Sequence, residues 1–345
     1  MNLIVAGDIW LVDGSPHSGG CELFAFDPDP PAFDDGAMSA WRPLSGDESL
    51  TAPLETLSGP AFEITRGAPA GAPPPTALVF ASPHSGDVYP ADMTSAARLP
   101  LETLRASEDA FVDRIVAGTP ALGASLIRAR FARAYVDLNR EPWELDPAMF
   151  EGDLPDYARG RTARVAAGLG TIPRIAGEGR PIYARKLTFA EAKDRVELAH
   201  RPYHDALDRQ LAAARTAYGA AVLIDWHSMP AAAARGQRAK GGGPCDIVLG
   251  DRFGAACSPR LTGLVERELE ALGYRVVRNA PYAGGYTTEH YGRPAKRTHA
   301  LQIEINRALY MNETTREPTE GLARLTADAE ALTRALAGLD VGELR

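Results

Sequence analysis

The sequence has few cysteines and no long apolar run. Its 345 residues include three cysteines, Cys21, Cys245 and Cys257. An odd number at irregular spacing predicts neither a disulfide framework nor a cysteine-based zinc site, and it favours a reducing compartment. No stretch approaches the roughly 18 apolar residues that would cross a bilayer. The N-terminal residues also lack the basic start of a signal peptide. We therefore expect a cytoplasmic protein with no membrane partner.

The sequence also lacks an excess of basic residues. Lysine and arginine number 37 against 45 aspartates and glutamates, which gives a net charge of −8. A nucleic acid is not expected as a partner, because surfaces that bind nucleic acids carry a basic excess. An anionic ligand must therefore meet a local cluster of basic side chains. Hydrophobic residues make up 45% and charged residues 24%, which excludes disorder along the whole chain, collagen and coiled coil.

The first 56 residues differ in composition from the rest of the chain. They contain the run DPDPPAFDD (27–35) and show little periodicity. We interpret residues 1–56 as an N-terminal extension, with an ordered hairpin within residues 1–25 as the alternative. The linker GAPAGAPPP (67–75) then leads to the first convincing strand, and residues 57–345 are predicted to form one domain.

From residue 76 onward, short apolar runs alternate with helical patterns. The predicted strands are 77–81, 133–138, 220–226, 245–250, 274–278 and 299–305. The predicted helices are 101–117, 189–217, 260–272 and 319–338. Strands separated by helices predict an α/β fold with a mixed, mostly parallel central sheet and helices on both faces.

Polar residues follow or end several of these strands. His84 comes shortly after the first strand, Asn139 and Arg140 follow the second, His227 follows the third, and Glu304 lies in the last. Ligands of open α/β sheets bind beyond the carboxyl ends of the strands. We therefore expect these side chains to converge at one edge of the sheet.

These residue types favour a metal site. Two histidines and a carboxylate are a common ligand set of catalytic zinc. His84 and Asp87 stand three residues apart in a glycine-containing turn, and His227 supplies a distant third ligand. We predict one divalent metal, Zn2+ being the simplest choice, held by His84, Asp87 and His227. Glu304 is then the carboxylate that accepts a proton from water activated by the metal.

Several alternatives remain open at these positions. A single histidine in a turn or at a strand end more often makes a hydrogen bond than binds a metal. Asp109 or Asp113, on the predicted helix 101–117, is the alternative donor to Asp87. His200 and His204 are spaced i, i+4 on the long helix, and packing is the stronger interpretation for them. His17 lies in SPHSGG, an echo of SPHSGD that we interpret as coincidence.

Five motifs, taken together in this order, resemble the N-formylglutamate amidohydrolase family. They are SPHSGDVYP (82–90), YVDLNREPWELDPAMF (135–150), LIDWHSMP (223–230), NAPYAGGYTTEHYGRP (279–294) and LQIEINRALYMNE (301–313). The resemblance covers about residues 60–345 and leaves the N-terminal extension outside. Because this family is related to zinc carboxypeptidases and aspartoacylase-like deacylases, the resemblance implies a zinc carboxypeptidase-like fold of the phosphorylase/hydrolase-like type.

The resemblance also implies roles for the metal-site residues. His84 and His227 match metal-ligand histidines, and Asp87 stands where the carboxypeptidase relatives carry a ligand glutamate one methylene longer. Asp137 matches a carboxylate that orients a metal-bound histidine. Glu304 matches the general base.

For the substrate, the resemblance implies that Asn139 and Arg140 grip a carboxylate. An arginine fork binds a carboxylate through two parallel hydrogen bonds, and backbone N–H groups of glycines can approach an anion. The further candidates for substrate binding are Arg293, Arg180, Tyr183, Gly284 and Gly285.

The implied reaction is hydrolysis of a linear amide C–N bond in N-formyl-L-glutamate, which gives formate and L-glutamate, a step in histidine breakdown. The partner is then a small dicarboxylate substrate, and a homo-oligomer is compatible with the sequence. Two alternatives stay open. One is a carboxypeptidase-like or deacylase hydrolase that acts on another small amide, and the other is a metal-free binding or regulatory protein on the same fold.

Overall fold

The computed structural model describes two parts of the chain. Backbone and side chains are described for residues 59–69, 71–158, 160, 162–176, 179–237, 239 and 242–344. Nearer the N terminus, four strands are described as backbone alone, β1 Leu3–Ala6, β2 Ile9–Val12, β3 Glu22–Phe26 and β4 Trp41–Pro43. They pair antiparallel in chain order, so the hairpin left open within residues 1–25 is present as β1 and β2. The remaining expectations for residues 1–56, including the one for His17, lie outside the described residues.

A seven-stranded sheet forms the centre of the described domain. The strands of this domain, seven in the central sheet and two in a separate pair, are β5 Phe62–Thr65, β6 Leu78–Ser82, β7 Ser125–Ala129, β8 Ile175–Ala176, β9 Arg180–Pro181, β10 Ala221–Met229, β11 Ile247–Gly250, β12 Val276–Arg278 and β13 Thr298–Asn306. The sheet order is β12-β11-β13-β10-β6-β7-β5, and β8 pairs separately with β9. Neighbours are parallel except at β11–β13 and β5–β7. The predicted mixed, mostly parallel sheet is therefore confirmed.

Helices cover both faces of this sheet. They are α1 Ala91–Ala96, α2 Leu101–Leu104, α3 Val112–Ile115, α4 Ala163–Ala166, α5 Phe189–Arg195, α6 Arg201–Tyr218, α7 Ala231–Arg235, α8 Pro259–Ala271, α9 Tyr286–Tyr291 and α10 Gly321–Ala337. Buried side chains of α3, α8 and α10 pack in one core, and those of α5 and α6 pack in a second core. No helix among the described residues is long and apolar enough to cross a membrane.

Strand β6 illustrates why the sheet is covered on both sides. Successive side chains of a strand point to opposite faces. Leu78 and Phe80 lie in the first core, whereas Val79 and Ala81 lie in the second. A strand that is apolar on both faces loses the most contact with water when helices pack on each side, as in parallel sheets generally.

Two predicted elements differ from the structure. The prediction of a strand at 133–138 is wrong, because β7 occupies 125–129 and residues 133–138 form a loop whose apolar side chains are buried without pairing in the sheet. The predicted helix 101–117 is interrupted after a 3-10 turn at Arg105–Ser107, and Phe111 takes a left-handed φ of 66° before α3. The long helix predicted at 189–217 is confirmed as α5 and α6, which are joined by a π turn at Val196–His200.

Candidate active site

Three neighbouring parallel strands bring the first site residues together. In the register between β10 and β13, His227 stands opposite Glu304. β6 lies on the other side of β10 and runs parallel to it, and His84 follows two residues after the end of β6. The carboxyl ends of the three strands therefore meet at one edge, as expected from the sequence, and all three side chains are buried.

His84, His227 and Asp109 form a tight group of potential metal ligands. Nδ1 of His227 lies 3.1 Å from Nδ1 of His84 and 3.1 Å from Oδ2 of Asp109. Nδ1 of His84 lies 3.4 Å from the same Oδ2. Ligand atoms about 2.1 Å from a tetrahedral ion lie about 3.4 Å from one another. The spacing of the three atoms therefore fits a single ion coordinated on one side by protein.

Each histidine turns its other nitrogen toward a buried carboxylate. Nε2 of His84 lies 2.6 Å from Oδ1 of Asp137, and Nε2 of His227 lies 3.0 Å from Oδ2 of Asp225. A proton on Nε2 of His84 satisfies Asp137 and leaves the Nδ1 lone pair of this histidine free, the arrangement that orients zinc-binding histidines. Asp225 approaches Nε2 of His227 at ion-pair distance without a hydrogen bond, and the amide nitrogen of Asn139 also faces this Nε2. The two Nδ1 atoms and Oδ2 of Asp109 thus face one another in a buried place. Such a donor set fits a divalent cation, because a positive charge relieves the repulsion among these acceptors.

The pKa shifts of His227 and Asp109 also indicate that this place favours a positive charge. Burial lowers the pKa of His227, but the charges of Asp225, Asp109 and Glu304 outweigh it and hold this pKa well above its ordinary value. Burial raises the pKa of Asp109, but hydrogen bonds from His227 and His84 and the charge of Arg307 hold it well below its ordinary value. The surroundings therefore favour a positive charge next to an ionised Asp109.

Asp109 occupies the place that the sequence predicted for Asp87. The side chain of Asp87 is exposed and lies outside the group. The turn that carries both residues is fixed by Gly86, where a Cβ would collide with the backbone of Phe131. A hydrogen bond of 2.9 Å from the N–H of Val88 to the carbonyl of Arg130 holds the chain after it. The turn therefore directs His84 inward and leaves Asp87 at the surface.

Tertiary contacts position Asp109. Its backbone N–H donates to the carbonyl of His84 at 2.9 Å, which fixes it beside the first histidine. Nη2 of Arg307 donates to Oδ1 of Asp109 at 2.9 Å, so Oδ2 is the oxygen that faces the histidines. In the sequence Asp109 lies inside an apparent helix, where an aspartate is unremarkable. Only the break of that helix after residue 107 brings it to the site.

Glu304 has the environment of a base that works at neutral pH. It is 7% exposed, and Nε2 of Gln302 donates to its Oε1 at 2.8 Å. Burial raises the pKa of Glu304 to about 7, even though His227 lowers it. A carboxyl group with a pKa near the working pH can both accept and return a proton.

A loop beyond the sheet carries Asp137, Asn139 and Arg140. Asp137 accepts the N–H of Asn139 at Oδ1, at 2.9 Å, in addition to His84. The amide nitrogen of Asn139 lies 3.2 Å from Nε2 of His227, and its Oδ1 accepts the N–H of Thr287 at 2.8 Å. The structure thus brings Asp137 and Asn139 to the two histidines, although no strand precedes them.

Comparisons with known proteins show the family of this chain. The family model described as N-formylglutamate amidohydrolase matches residues 76–311. This chain belongs to the N-formylglutamate amidohydrolase family. A relative named N-formylglutamate deformylase from Pseudomonas putida is 36% identical over 199 residues, which is 56% of this chain and 66% of the relative. A second relative of that name, from Pseudomonas aeruginosa, is 30% identical over 244 residues, which is 68% of this chain and 82% of the relative.

Solved structures are similar in fold. The crystal structure of N-formylglutamate amidohydrolase from Ralstonia eutropha JMP134 has 42% sequence identity and a TM-score of 0.73, and the match covers 80% of this chain and 97% of that one. A gene product of Agrobacterium tumefaciens matches with 21% identity and a TM-score of 0.53, over 81% of this chain and 94% of that one. The second match supports the fold alone.

In this member of the N-formylglutamate amidohydrolase family, the site residues open into a cavity of about 560 Å³. The predicted substrate residues Asn139, Arg140, Gly284 and Gly285 line it. The N–H of Gly285, however, donates to Oε1 of Gln302 at 2.7 Å and is not free for an anion. A Cβ at Gly285 would collide with the side chain of Asn139, so this glycine allows Asn139 to approach closely.

The structure places three other predicted substrate residues away from this cavity. Arg180 is exposed, and its Nη2 donates to the hydroxyl of Thr103 at 3.1 Å. The hydroxyl of Tyr183 accepts from Nη1 of Arg195 at 2.6 Å. Arg293 is exposed and donates to the carbonyl of Gly292 at 3.0 Å. None of the three side chains lines the cavity that contains the histidines, and Arg293 lines a cavity next to it. Their roles in substrate binding stay predictions.

Two histidines that the sequence did not place at the site contact the backbone of the loop that carries Asn139. Nε2 of His200 lies 2.8 Å from the carbonyl of Arg140, and Nε2 of His204 lies 2.8 Å from the carbonyl of Leu138. Both side chains are on the π turn or the first turn of α6, and together they hold the loop that carries Asn139. Their i, i+4 spacing was the only signal in the sequence, and it did not distinguish this role from packing.

Proposed function

We propose that this chain hydrolyses the formyl amide of N-formyl-L-glutamate, or of a closely related N-acyl amino acid, to formate and the free amino acid. The observation that carries the proposal is the buried group of His84, His227 and Asp109 with Glu304 opposite His227 in the sheet. The names of the relatives from both Pseudomonas species support the choice of substrate. The place in histidine breakdown that the family resemblance implies belongs to the same proposal, as does a cytoplasmic location.

We further propose that the reaction depends on one divalent cation, Zn2+ being the simplest choice for imidazole and carboxylate donors. His84, His227 and Asp109 would hold it through Nδ1, Nδ1 and Oδ2. When bound, such an ion polarises a carbonyl oxygen and makes a water molecule more acidic. Asp137 keeps His84 in the tautomer that offers Nδ1, and the charge of Asp225 lies 3.0 Å from Nε2 of His227.

Glu304 accepts the proton of the attacking water in this proposal. Gln302 occupies Oε1, so Oε2 is left to receive the proton. The raised pKa, about 7, lets the same carboxyl group return the proton to the departing amine nitrogen. One side chain can thus serve first as base and then as acid.

Arg140 and Asn139 bind a carboxylate of the substrate. The Nε and Nη1 groups of Arg140 donate to the carbonyls of Leu169 and Asn139, both at 2.8 Å, which fixes the plane of the guanidinium. Its Nη2 has no hydrogen-bond partner among the described residues, and Arg140 lines the cavity. A carboxylate held there keeps the scissile amide beside Glu304.

The decisive experiment is an assay of formate release across N-formyl and N-acetyl amino acids, with and without a chelator, beside elemental analysis of the same preparation. We expect release from N-formyl-L-glutamate that falls with the chelator and returns with added Zn2+. Faster turnover of N-acetyl or longer acyl substrates would instead favour the deacylase. Activity that survives complete metal removal would contradict the metal dependence. Absence of any hydrolysis in metal-loaded protein would leave the binding protein as the better account.

A further inference from the structure

A second cavity adjoins the one that contains the histidines. Its volume is about 430 Å³, and Glu304 is not among the residues that line it. The side chains that line both cavities are Arg164 and Arg252. Among the described residues, the boundary between the two spaces is therefore formed by two guanidinium groups.

The other arginines of the inner cavity are already engaged. Nη2 of Arg133 donates to Asp137 at 2.8 Å, and Arg307 donates to Asp109 and, at 3.1 Å, to the hydroxyl of Ser228. These two guanidinium groups balance the buried carboxylates of the site. They are not available to a ligand without uncovering a buried negative charge.

Arg164 and Arg252 are available by comparison. The side chain of Arg164 makes no hydrogen bond or ion pair with any residue that the structure describes, and its backbone carbonyl accepts the N–H of Leu169 at 2.8 Å. The side chain of Arg252 forms one ion pair among the described residues, in which its Nη2 lies 2.9 Å from Oε2 of Glu289. The side chain of Glu289 is 54% exposed. An exposed ion pair is weak and easily exchanged, so a ligand carboxylate can replace Glu289 at little cost.

The backbone around Arg252 is held in an unusual conformation. Arg252 and Phe253 both have a φ of 56°, in the left-handed region that residues with a Cβ seldom adopt. Oδ1 of Asn279 accepts the N–H groups of Asp251 and Phe253, at 3.1 and 3.3 Å, and Oδ1 of Asp251 accepts the N–H of Gly254 at 3.0 Å. Strained backbone that its surroundings hold in place is concentrated at ligand sites. Here it places the guanidinium of Arg252 at the boundary of the two cavities.

The guanidinium groups near Arg140 also favour the binding of an anion. Burial lowers the pKa of Arg140, the negative charge of Asp137 opposes this shift, and the positive charges of Arg133 and Arg164 lower the pKa further. Several guanidinium groups thus act on one another across the inner cavity. A dianionic ligand would relieve this repulsion at two points, one at Arg140 and one at the boundary.

We propose that Arg164 and Arg252 form a second carboxylate subsite, which binds the side-chain carboxylate of an N-formyl dicarboxylic amino acid while Arg140 binds the α-carboxylate. The inference rests on the proposed function and adds the residues that select a dicarboxylate. Arg140 follows Asn139, which contacts His227, so it lies nearer the reacting amide. Arg164 and Arg252 lie at the boundary with the second cavity, whose lining includes Arg293 and the carboxylates of Glu141, Glu144 and Glu289. Two guanidinium groups can hold both oxygens of one carboxylate.

The test compares N-formyl-L-glutamate with N-formyl-L-glutamine, which has the same shape without the second charge. We expect the parent protein to prefer the glutamate substrate in kcat/KM. Arg164→Gln and Arg252→Gln should each reduce this preference about tenfold or more, because each removes a charge-assisted hydrogen bond. The loss should fall mainly in KM for the glutamate substrate, and kcat/KM for the glutamine substrate should stay within about twofold.

Arg334→Gln is the matched control. Arg334 forms an exposed ion pair with Glu330 at 3.1 Å on α10, so this variant loses the same charge and the same kind of pair elsewhere. Arg164→Lys and Arg252→Lys, which keep the charge, provide a second pair of variants in case a glutamine variant unfolds on thermal analysis. They should retain part of the preference, since lysine offers charge without the planar fork.

The outcomes separate the two proposals. Hydrolysis of neither substrate by the metal-loaded parent would contradict the proposed function. Hydrolysis with an undiminished preference in the glutamine and lysine variants at both positions would overturn the subsite and leave the function intact. An equal loss in Arg334→Gln would also overturn it, because the effect would then follow net charge.

Discussion

At the scale of single residues, the side chain that completes the histidine pair decides what the site can bind. Asp109 is 1% exposed and reaches both histidines through one oxygen, whereas Asp87 is exposed. Both aspartates lie within the same stretch of chain after β6. They therefore offer a matched comparison in which the same chemical change is made inside and outside the group.

We expect Asp109→Asn to lower the affinity for Zn2+ at least about 100-fold. Loss of a hydrogen bond to a metal-binding residue already lowers metal affinity about 10- to 100-fold, and this change removes the negative charge of a residue that binds the metal itself. Asp87→Asn should retain the metal. Elemental analysis and competition with a chelating dye measure both. The reverse result, with metal lost in Asp87→Asn and kept in Asp109→Asn, would restore the assignment expected from the H-x-x-D spacing.

We expect Glu304→Gln to lower kcat for N-formyl-L-glutamate by about 100-fold or more, since an amide of the same shape cannot accept the proton. Metal content should change little, because Glu304 is not among the atoms of the histidine and Asp109 group. Glu317→Gln, an exposed position, is the control for the change in charge. A near-normal kcat in Glu304→Gln would require another group to activate the water.

At the scale of elements, the long helix formed by α5 and α6 combines support of the core with support of the site. Its π turn at Val196–His200 adds a residue to one turn, which shifts the faces of the helix relative to each other. The buried residues Tyr203 and Leu207 pack in the core under the sheet, and His200 reaches the loop at Arg140. In a regular α-helix without the π turn, the core residues of α6 and His200 would not both point toward their present partners.

The histidine on this turn makes stability depend on pH. Burial lowers the pKa of His200 from 6.5 to about 4, although the carbonyl of Arg140 raises it. The unfolded chain therefore binds a proton at a higher pH than the folded chain, and stability falls as the pH drops from about 6.5 toward 4. The shift corresponds to on the order of 3 kcal/mol for this group.

We expect His200→Gln, which keeps a donor near the position of Nε2, to flatten this decline. Denaturant unfolding of the metal-free protein at several pH values between 4 and 8 measures the free energy of unfolding for both forms. Above pH 7 the two curves should run parallel, because neither side chain titrates there. Equal slopes between pH 6.5 and 4 would mean that His200 is not held neutral by burial.

At the scale of the whole molecule, we expect the domain to work without its first 57 residues. The family match begins at residue 76, and β5, the first strand of the seven-stranded sheet, begins at Phe62. A truncated protein that begins at Ser58 keeps every strand of that sheet. It should unfold cooperatively and release formate with a kcat within about twofold of the full chain, since no group described at the site is removed.

Circular dichroism and the formate assay test the truncated protein side by side. A folded but inactive product would mean that the N-terminal residues complete or cover the site. An unfolded product would show that the domain boundary lies earlier than residue 57.

The order of the strands could be only partly inferred from the sequence. Runs such as AAVLIDW (220–226) and HALQIEI (299–305) are apolar on both faces, so burial in a parallel sheet was predictable from their composition. RAYVDL (133–138) has the same composition but pairs with no strand, because its apolar side chains reach the second core from a loop. Composition reports that a segment is buried. It does not report which neighbour supplies the backbone hydrogen bonds.

The same distinction holds at the site. The sequence by itself determined that His84, His227 and Glu304 meet, because each lies at the carboxyl end of a strand in a predominantly parallel sheet. Only the tertiary structure decided that Asp109 joins them and Asp87 does not, and that Arg164 and Arg252 border the cavity while Arg180 and Tyr183 do not. The physical reason is that strand ends share a fixed geometry, whereas loop residues are placed by long-range contacts, such as the hydrogen bond from Asp109 to the carbonyl of His84 and the clamp of Asn279 on residues 251–253.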